Sequence, residues 1–428
     1  MPGVDPKIPV VLVFLVAYGL VIRYDRWKMA VVWGAAGVLL ATGLLSPLQA
    51  WEAIEWDVVL LYYGMLLVSE AFLHSRMPDY LAVKVASRCH GVRMAMVALC
   101  VFTGFLSVFL ENVAVVLLMA PVGLAISRKC EIPPGPLFVG MAVSSNLQGC
   151  ATMIGDPPSM LLAGHAHLSF NEFFVLDGRP SIFFAVQVGM LASAAVLFFQ
   201  FRPYSRRMPE LKPEPYLSVV PTLLVIGLVM ALAVASSSSL AIPHLIGLVC
   251  CAFGGLSFLW HLHYFKERNV PRFLARLDWQ TGLFLIGIFV LVKSLIVVGL
   301  MEDIAEAIPR LAGGSRLGVF VLIVGISVVV SAFVDNVPFL VAMLPVVQLV
   351  AQRSGLNPYL FYFGLLIGAS VGGNITPIGA SANIVACGIL KRDGHPVSFA
   401  GFFRIGLPFT LAATAASCLV IWLVFGRA

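Results

Sequence analysis

Six residues inside a long apolar stretch, Phe333-Val334-Asp335-Asn336-Val337-Pro338, have a counterpart 224 positions earlier, Phe109-Leu110-Glu111-Asn112-Val113-Ala114. Each copy sets a carboxylate and an amide where a helix facing lipid could not hold them, and an ionisable group at membrane depth marks a functional site. Whatever fold the chain adopts must bring both carboxylates to an interior lined by protein or water. Composition supplies the bilayer. The 428 residues are 60% hydrophobic and 11% charged, with a mean hydropathy of +0.98. A soluble chain of this size could not cover itself with so few charges. Apolar runs long enough to cross a membrane recur from end to end. The fold class is therefore an all-α polytopic membrane protein. The first apolar run does not read as a cleavable signal, because no small-residue cleavage site follows it and its basic residues come after it.

Full crossings are predicted near 8–22, 29–45, 57–74, 136–165, 181–201, 217–235, 241–260, 279–300, 358–390 and 402–425. Two further apolar pairs, 93–127 and 316–351, are interrupted at the Glu/Asp-Asn motifs and read as re-entrant hairpins whose polar tips lie at depth. With the N-terminus outside, the cytoplasmic loops carry 20 of the 27 Lys and Arg, the outer side carries 6, and Lys293 alone lies within a span. That bias supports the orientation under the positive-inside rule. Ten crossings leave both termini outside, in a cell inner membrane. The net charge of +6 sits in short loops and is no sign of nucleic-acid binding.

Each half then holds five crossings and one hairpin, so the second half runs opposite to the first. The first inverted repeat covers 1–201, a cytoplasmic linker rich in Pro and Arg covers 202–216, and the second repeat covers 217–428. Further echoes support the division. Glu55-Trp56-Asp57 and Leu277-Asp278-Trp279 both set an acid beside Trp at the start of a span. The distance from Glu111 to Pro121 equals that from Asp335 to Pro345, and Thr152-Met153-Ile154-Gly155 matches Thr376-Pro377-Ile378-Gly379 at the same offset. Paired polar sites in two inverted halves point to a secondary transporter.

The crossings at 136–165 and 358–390 are broken by Gly and Pro, between Gly149 and Pro158 and between Gly372 and Asn383. Broken backbone survives in a bilayer only where it is buried in protein or lines a cavity. Freed carbonyls there can coordinate a cation, and half-helix N-termini can face an anion or a neutral oxygen ligand. Glu111 and Asp335 read either as caps of the second hairpin helices or as a proton or sodium site. Asp156 stands open between a third ion-coupling carboxylate and the N-cap before Pro157. The predicted substrate cavity gathers Asn112, Asn336, Thr152, Thr376, Asn374, Ser381 and Asn383. Glu70 and Lys293, at matching places, read as snorkelling side chains or as an ion pair between the halves. His165, His167, His261 and His263 fall near span ends and read as solvated groups or a proton relay. The eight cysteines show no metal or disulfide spacing and read as core packing. No phosphate-binding Gly loop, nucleophile constellation or cofactor motif is present, so the reading is not an enzyme, with no cofactor beyond a transported H⁺ or Na⁺. A soluble ATPase subunit as partner stays open.

At the hairpin motifs and the two breaks, the chain resembles the ion transporter superfamily, in the branch of arsenite permeases, sodium/proton antiporters and the melanosomal P-protein. The likeness runs from about residue 55 onward. It implies a scaffold domain and a mobile transport domain, often in a homodimer, working by an elevator-like motion. Glu111 departs from the Asp common in that branch. Dicarboxylate carriers of the superfamily have Ser-Asn-Thr at both tips, and neither tip here resembles it.

A divalent organic anion would meet the two tip carboxylates at close range in low dielectric, which costs several kcal/mol unless a bound cation cancels the charge. A neutral trihydroxide such as arsenite or antimonite, or a small cation, fits better. Proton exchange suits a carboxylate that burial favours in its neutral form. The expected function is arsenite or antimonite efflux in exchange for protons, an arsenical-resistance activity. Sodium/proton antiport is the alternative, followed by another anion or metabolite carrier, or a passive channel.

Overall fold

The computed structural model describes every residue except 1–4, 25, 26, 239–241, 266–269, 271–273, 276, 427 and 428. Both chain ends and the basic residues Arg26, Lys266, Arg268, Arg272, Arg276 and Arg427 of the charge census lie outside the described residues. The first half runs α1 (Lys7–Arg23), α2 (Lys28–Ala41), α3 (Pro47–Glu52), α4 (Trp56–His74), α5 (Met77–Ser87), α6 (Val92–Ser107), α7 (Asn112–Lys129), α8 (Pro134–Gly149), α9 (Pro157–Ala166) and α10 (Ile182–Gln200). A two-residue hairpin, β1 (Val175–Leu176) with β2 (Arg179–Pro180), precedes α10. The second half runs α11 (Val220–Ser237), α12 (Leu245–Phe265), α13 (Trp279–Val297), α14 (Leu300–Leu311), α15 (Arg316–Ser331), α16 (Asn336–Ser354), α17 (Pro358–Gly372), α18 (Ser381–Arg392) and α19 (Phe399–Phe425). Nine helices among the described residues are long and apolar enough to cross a membrane, and the bent pair α14–α15, turned by 120°, would make ten. The protein is an all-α multi-pass membrane protein.

The halves repeat element by element. Helix α4 packs along α12 as α13 packs along α2, and α6 lies against α8 as α15 lies against α17. Helix α10 meets its own counterpart α19, and α8 meets α17, as a two-fold relation requires. The sense is inverted. Tyr63 Oη donates to Trp279 O at 3.4 Å, while Glu52 and Glu55 share a cavity with Lys293 and Ile296, so α4 and α13 run antiparallel. Three short helices were not expected: α3, capped by Ser46 and Gln49 in a capping box, and the amphipathic pair α5 and α14. The segment expected to link the halves is strapped down. Val92 N donates to Arg206 O at 2.9 Å, Met208 N to His90 O at 3.2 Å, and Leu217 N to Ser75 O at 2.9 Å.

The two hairpins are α6–α7, turning at Val108–Glu111, and α15–α16, turning at Ala332–Asp335. The two breaks are residues 150–156, between α8 and α9, and residues 373–380, between α17 and α18. Pro157 and Asp156 restart the first, since Pro needs no N–H partner at a first helical turn and the Asp carboxylate takes the orphaned Ser159 N at 3.0 Å.

Candidate functional site

Each hairpin tip is fastened to its break by bonds that recur at an offset of 224. Thr152 Oγ1 donates to Val108 O in the first tip, and Thr376 Oγ1 donates to Ala332 O in the second. Ser159 Oγ donates to Gly149 O at 3.2 Å, and Asn383 Nδ2 donates to Gly373 O at 2.9 Å. These carbonyls lie at helix ends, where no intrahelical N–H reaches them. Gly379 presses against the tip so closely that a Cβ there would sit 2.8 Å from Ala332 O, and one at Gly155 would sit 2.7 Å from Ser107 O. Only glycine fits both places.

The two breaks are then joined across the molecule by amides. Asn146 Nδ2 donates to Asn374 Oδ1 at 2.8 Å and to Asn383 Oδ1 at 3.0 Å, and Asn374 Nδ2 donates to Val143 O at 3.0 Å. All three amides are buried. Neutral partners of this kind satisfy one another without the desolvation cost of an ion pair.

A cavity of about 270 Å³ opens where tips and breaks meet. It is lined by Glu111, Asn112, Asn146, Asp156, Asp335, Asn336 and Ser381, and on the facing wall by Lys28, Asp278, Gln280, Thr281 and Phe284. Six of the ten residues expected in the site therefore line it. The other four, Thr152, Thr376, Asn374 and Asn383, are 0% exposed and spend their polar groups on the bonds just described. Their spacing to the breaks was legible, but not that a hairpin carbonyl would claim each hydroxyl. Lys28, Asn146, Asp278, Gln280 and Thr281 were not anticipated. Lys28 looked like an interhelical loop charge, yet it heads α2 with Nζ 4.0 Å from Asp335 Oδ2 and 5.4 Å from the Phe284 ring centre.

The carboxylates divide their oxygens. Glu111 Oε2 accepts from Ala114 N at 2.9 Å, and Asp335 Oδ1 accepts from Val337 N at 3.2 Å, so each caps its returning helix. Asp335 turns its other oxygen toward Lys28. Asp156 Oδ1 takes Ser159 N at 3.0 Å and lies 2.6 Å from Ser159 Oγ, whose one proton it shares with Gly149 O, while its buried Oδ2 has no hydrogen-bond partner among the described residues. Glu111, Asp335 and Asp156 thus each cap a helix and also line the cavity. Asp278 caps α13 through Thr281 N at 3.1 Å. Asn112 receives Ser107 Oγ, which also lies 2.9 Å from Ser145 Oγ.

Glu70 and Lys293 do not meet. Glu70 lies 3.6 Å from His74, and Lys293 lines a separate cavity of about 150 Å³ with Glu52, Glu55 and His165.

Known proteins match along nearly the full length. The profile of the CitMHS family, described as a citrate transporter, matches residues 12–310 and 248–428. An uncharacterized transporter of Mycobacterium tuberculosis is 32% identical, covering 97% of this chain and 99% of its own. A 46 kDa membrane protein of Mycobacterium leprae is 30% identical over 96% of this chain and 97% of its own. The human P protein is 25% identical over 92% of this chain, which spans 57% of that longer protein. Among solved structures, the YdaH transporter of Alcanivorax borkumensis superposes with a TM-score of 0.62 at 13% identity, covering 99% of each chain. MtrF of Neisseria gonorrhoeae, described within a class of antimetabolite efflux pumps, gives 0.52 at 13% identity over 86% of this chain and 81% of its own. At that identity the structures speak for the fold alone. With family profile, full-length relatives and inverted hairpin-and-break architecture in agreement, the chain belongs to the CitMHS family of the ion transporter superfamily and is a membrane transporter.

Proposed function

We propose that this transporter exports a small neutral polyhydroxide of the arsenite or antimonite kind in exchange for protons, by alternating access. The observation that carries the reading is the charge of the cavity wall. Four carboxylates, Glu111, Asp156, Asp278 and Asp335, face a lining whose basic member among the described residues is Lys28. Like charges in a low-dielectric site repel an incoming anion. A neutral polyhydroxide needs only donors and acceptors, which Asn112, Asn146, Asn336, Ser381 and Thr281 supply. The carboxylates are then left to carry the coupling ion. A citrate-like anion would enter only with a cation that cancels its charge. Sodium/proton antiport is the second reading, favoured by the unpartnered Asp156 Oδ2, a ready oxygen ligand for a small cation. On the expected orientation, Lys28 and Asp278 lie toward the cytoplasm, and the cavity is inward-facing. The tips and breaks form the mobile part, and α2, α4, α12 and α13 form the scaffold.

The test is flux into proteoliposomes under an imposed pH gradient. Arsenite or antimonite uptake that collapses when the gradient is dissipated supports exchange. Gradient-driven movement of sodium without the oxyacids selects the second reading. Uptake of citrate alone, with neither sodium nor a divalent metal present, would sink both. Arsenite flux indifferent to the gradient would indicate a passive channel.

A further inference from the structure

Away from the tips and breaks, a groove of about 470 Å³ lies between α5 and α7. Arg76, Asp79 and Tyr80 line it from one face of α5, and Pro121, Ala125 and Lys129 line it from one face of α7. Three- and four-residue steps put each set on a single helix stripe. The segment after α10 closes the groove at its charged end. Arg76 Nη1 lies 3.5 Å from Glu214 Oε2, and Lys129 Nζ donates to Glu210 O. The groove is therefore polarised. Its cations gather where α5 begins and α7 ends. Pro121 lies eight residues back from Lys129, about 12 Å along α7. Pro121 and Ala125 stand exposed there without a polar group and make an apolar floor.

Aromatic side chains mark the depth. The rings of Tyr80 and Tyr216 meet edge to face at 5.4 Å, and those of Trp260 and Tyr264 stack at 5.3 Å. Tyr264 Oη donates to Leu217 O at 2.8 Å, which ties the two pairs to the same segment. Tyr and Trp gather at the level of lipid headgroups. Two features of the lining then ask for a ligand. Arg76, Lys129 and Lys212 outnumber the carboxylates Asp79 and Glu214, and Lys129 pairs with no carboxylate among the described residues. Asp79 Oδ1 is buried with no hydrogen-bond partner among the described residues, an acceptor short of a donor.

We propose that this groove binds a monoanionic glycerophospholipid with a hydroxylated headgroup, of the phosphatidylglycerol kind. Its phosphate meets Lys129 and Arg76, a headgroup hydroxyl donates to Asp79, and one acyl chain lies over Pro121 and Ala125. Basic pockets between helices hold lipid headgroups in this way. A zwitterionic headgroup would leave the surplus positive charge uncancelled, and a soluble phosphate would leave the apolar floor bare. On the expected orientation the lipid comes from the cytoplasmic leaflet. The site needs neither the cargo nor the coupling ion proposed above, so loss of either reading leaves it intact.

The test is native mass spectrometry of the whole transporter, stripped of lipid in a neutral detergent and titrated with phosphatidylglycerol or phosphatidylethanolamine. One phosphatidylglycerol per chain is expected to be held about tenfold more tightly than phosphatidylethanolamine. Equimolar glycerol phosphate is expected not to displace it. Lys129→Gln removes the cation that lacks a carboxylate, and Ala125→Trp fills the floor from an exposed position. Each is expected to weaken retention about tenfold. Lys84→Gln removes a cation of α5 that lies against Tyr80 and outside the lining, and should leave retention unchanged. Equal retention of the two lipids overturns the proposal. So do equal losses in Lys84→Gln and Lys129→Gln, which would mean attraction to diffuse surface charge. Displacement by glycerol phosphate, or undiminished retention in Ala125→Trp, would make the ligand a soluble anion and overturn it too. Should Ala125→Trp not reach the membrane, the contrast between the two lysine variants decides.

Discussion

The two hairpin tips share a frame and differ in charge. In both, a Thr hydroxyl ties the break to the hairpin turn, a polar side chain ten residues beyond a glycine takes that glycine's carbonyl, and a carboxylate caps the returning helix. The first tip adds Asp156 at a place where the second has Ala380. The second has Asn374 at the position of Cys150, and its Asp335 faces Lys28. The repeat thus preserves the bonds that hold broken backbone in a membrane and lets the ionisable groups diverge. Glu111 and Asp156, with no ion-pair partner among the described residues, suit an exchangeable ion, and a carboxylate beside a lysine suits a fixed counter-charge. On this comparison we propose that the first tip carries the coupling ion and the second shapes the cargo site.

The largest effect is expected from Glu111→Gln and Asp156→Asn. Each should lower gradient-driven flux about a hundredfold, in line with the roughly 2–5 kcal/mol at stake when a buried charge loses its role. Asn and Gln keep an oxygen for the cap, so the protein should still reach the membrane folded. Asp335→Asn should cost less, about tenfold, and act on substrate affinity before pH dependence. If it matches Glu111→Gln and flattens the pH profile equally, the division of labour between the tips is wrong.

The shared frame is tested by Thr152→Ala and Thr376→Ala. Each strands a buried carbonyl at a cost of about 1–3 kcal/mol, and thermal unfolding in detergent should show similar losses for both. A loss confined to one would mean that the halves are not equivalently held.

A smaller contrast lies on the amphipathic helices, where Asp79 of α5 corresponds to Glu302 of α14. Burial pushes the Asp79 carboxyl up to about 6 from an ordinary value of 3.8. The folded state holds this proton more tightly than the unfolded chain. Its stabilising share is therefore present below pH 3.8 and is lost as pH rises to about 6. Asp79→Asn should gain on the parent between pH 4 and pH 7, by about 1 kcal/mol or less because the group is only half-buried. A melting-temperature difference constant across that range would contradict this. The smallest expected effect is at Cys150, whose Sγ donates to Leu147 O at 3.0 Å. Cys150→Ser keeps that bond and should leave flux unchanged. Loss of arsenite transport in this variant would point to thiol coordination instead.

Much of this was legible in the chain, because bilayers make a few signals strong. A carboxylate inside an apolar run, Gly and Pro inside a crossing, and their recurrence at one offset leave few arrangements open. The short helices α3, α5 and α14 escaped because they lie outside the crossing pattern. Thr152 and Thr376 were read as cargo ligands because sequence shows a hydroxyl near a break and not the carbonyl that will claim it. Lys28 was read as a loop charge and Asp278 as a span entry, since depth along a helix depends on how far its first turn sinks, which spacing does not encode. Glu70 and Lys293 occupy matched positions, but matched positions in an inverted repeat lie on opposite faces unless they sit near the axis.

Asn146, Asn374 and Asn383 do sit near that axis, and none of them titrates. The join between the two breaks therefore has the same strength whether the carboxylates around it are charged, protonated or occupied by an ion. On the exchange reading proposed above, a transporter whose carboxylates change charge has at its centre a fastening that is blind to pH. Strain raised at one tip when its ion arrives can pass to the other through a frame that does not loosen.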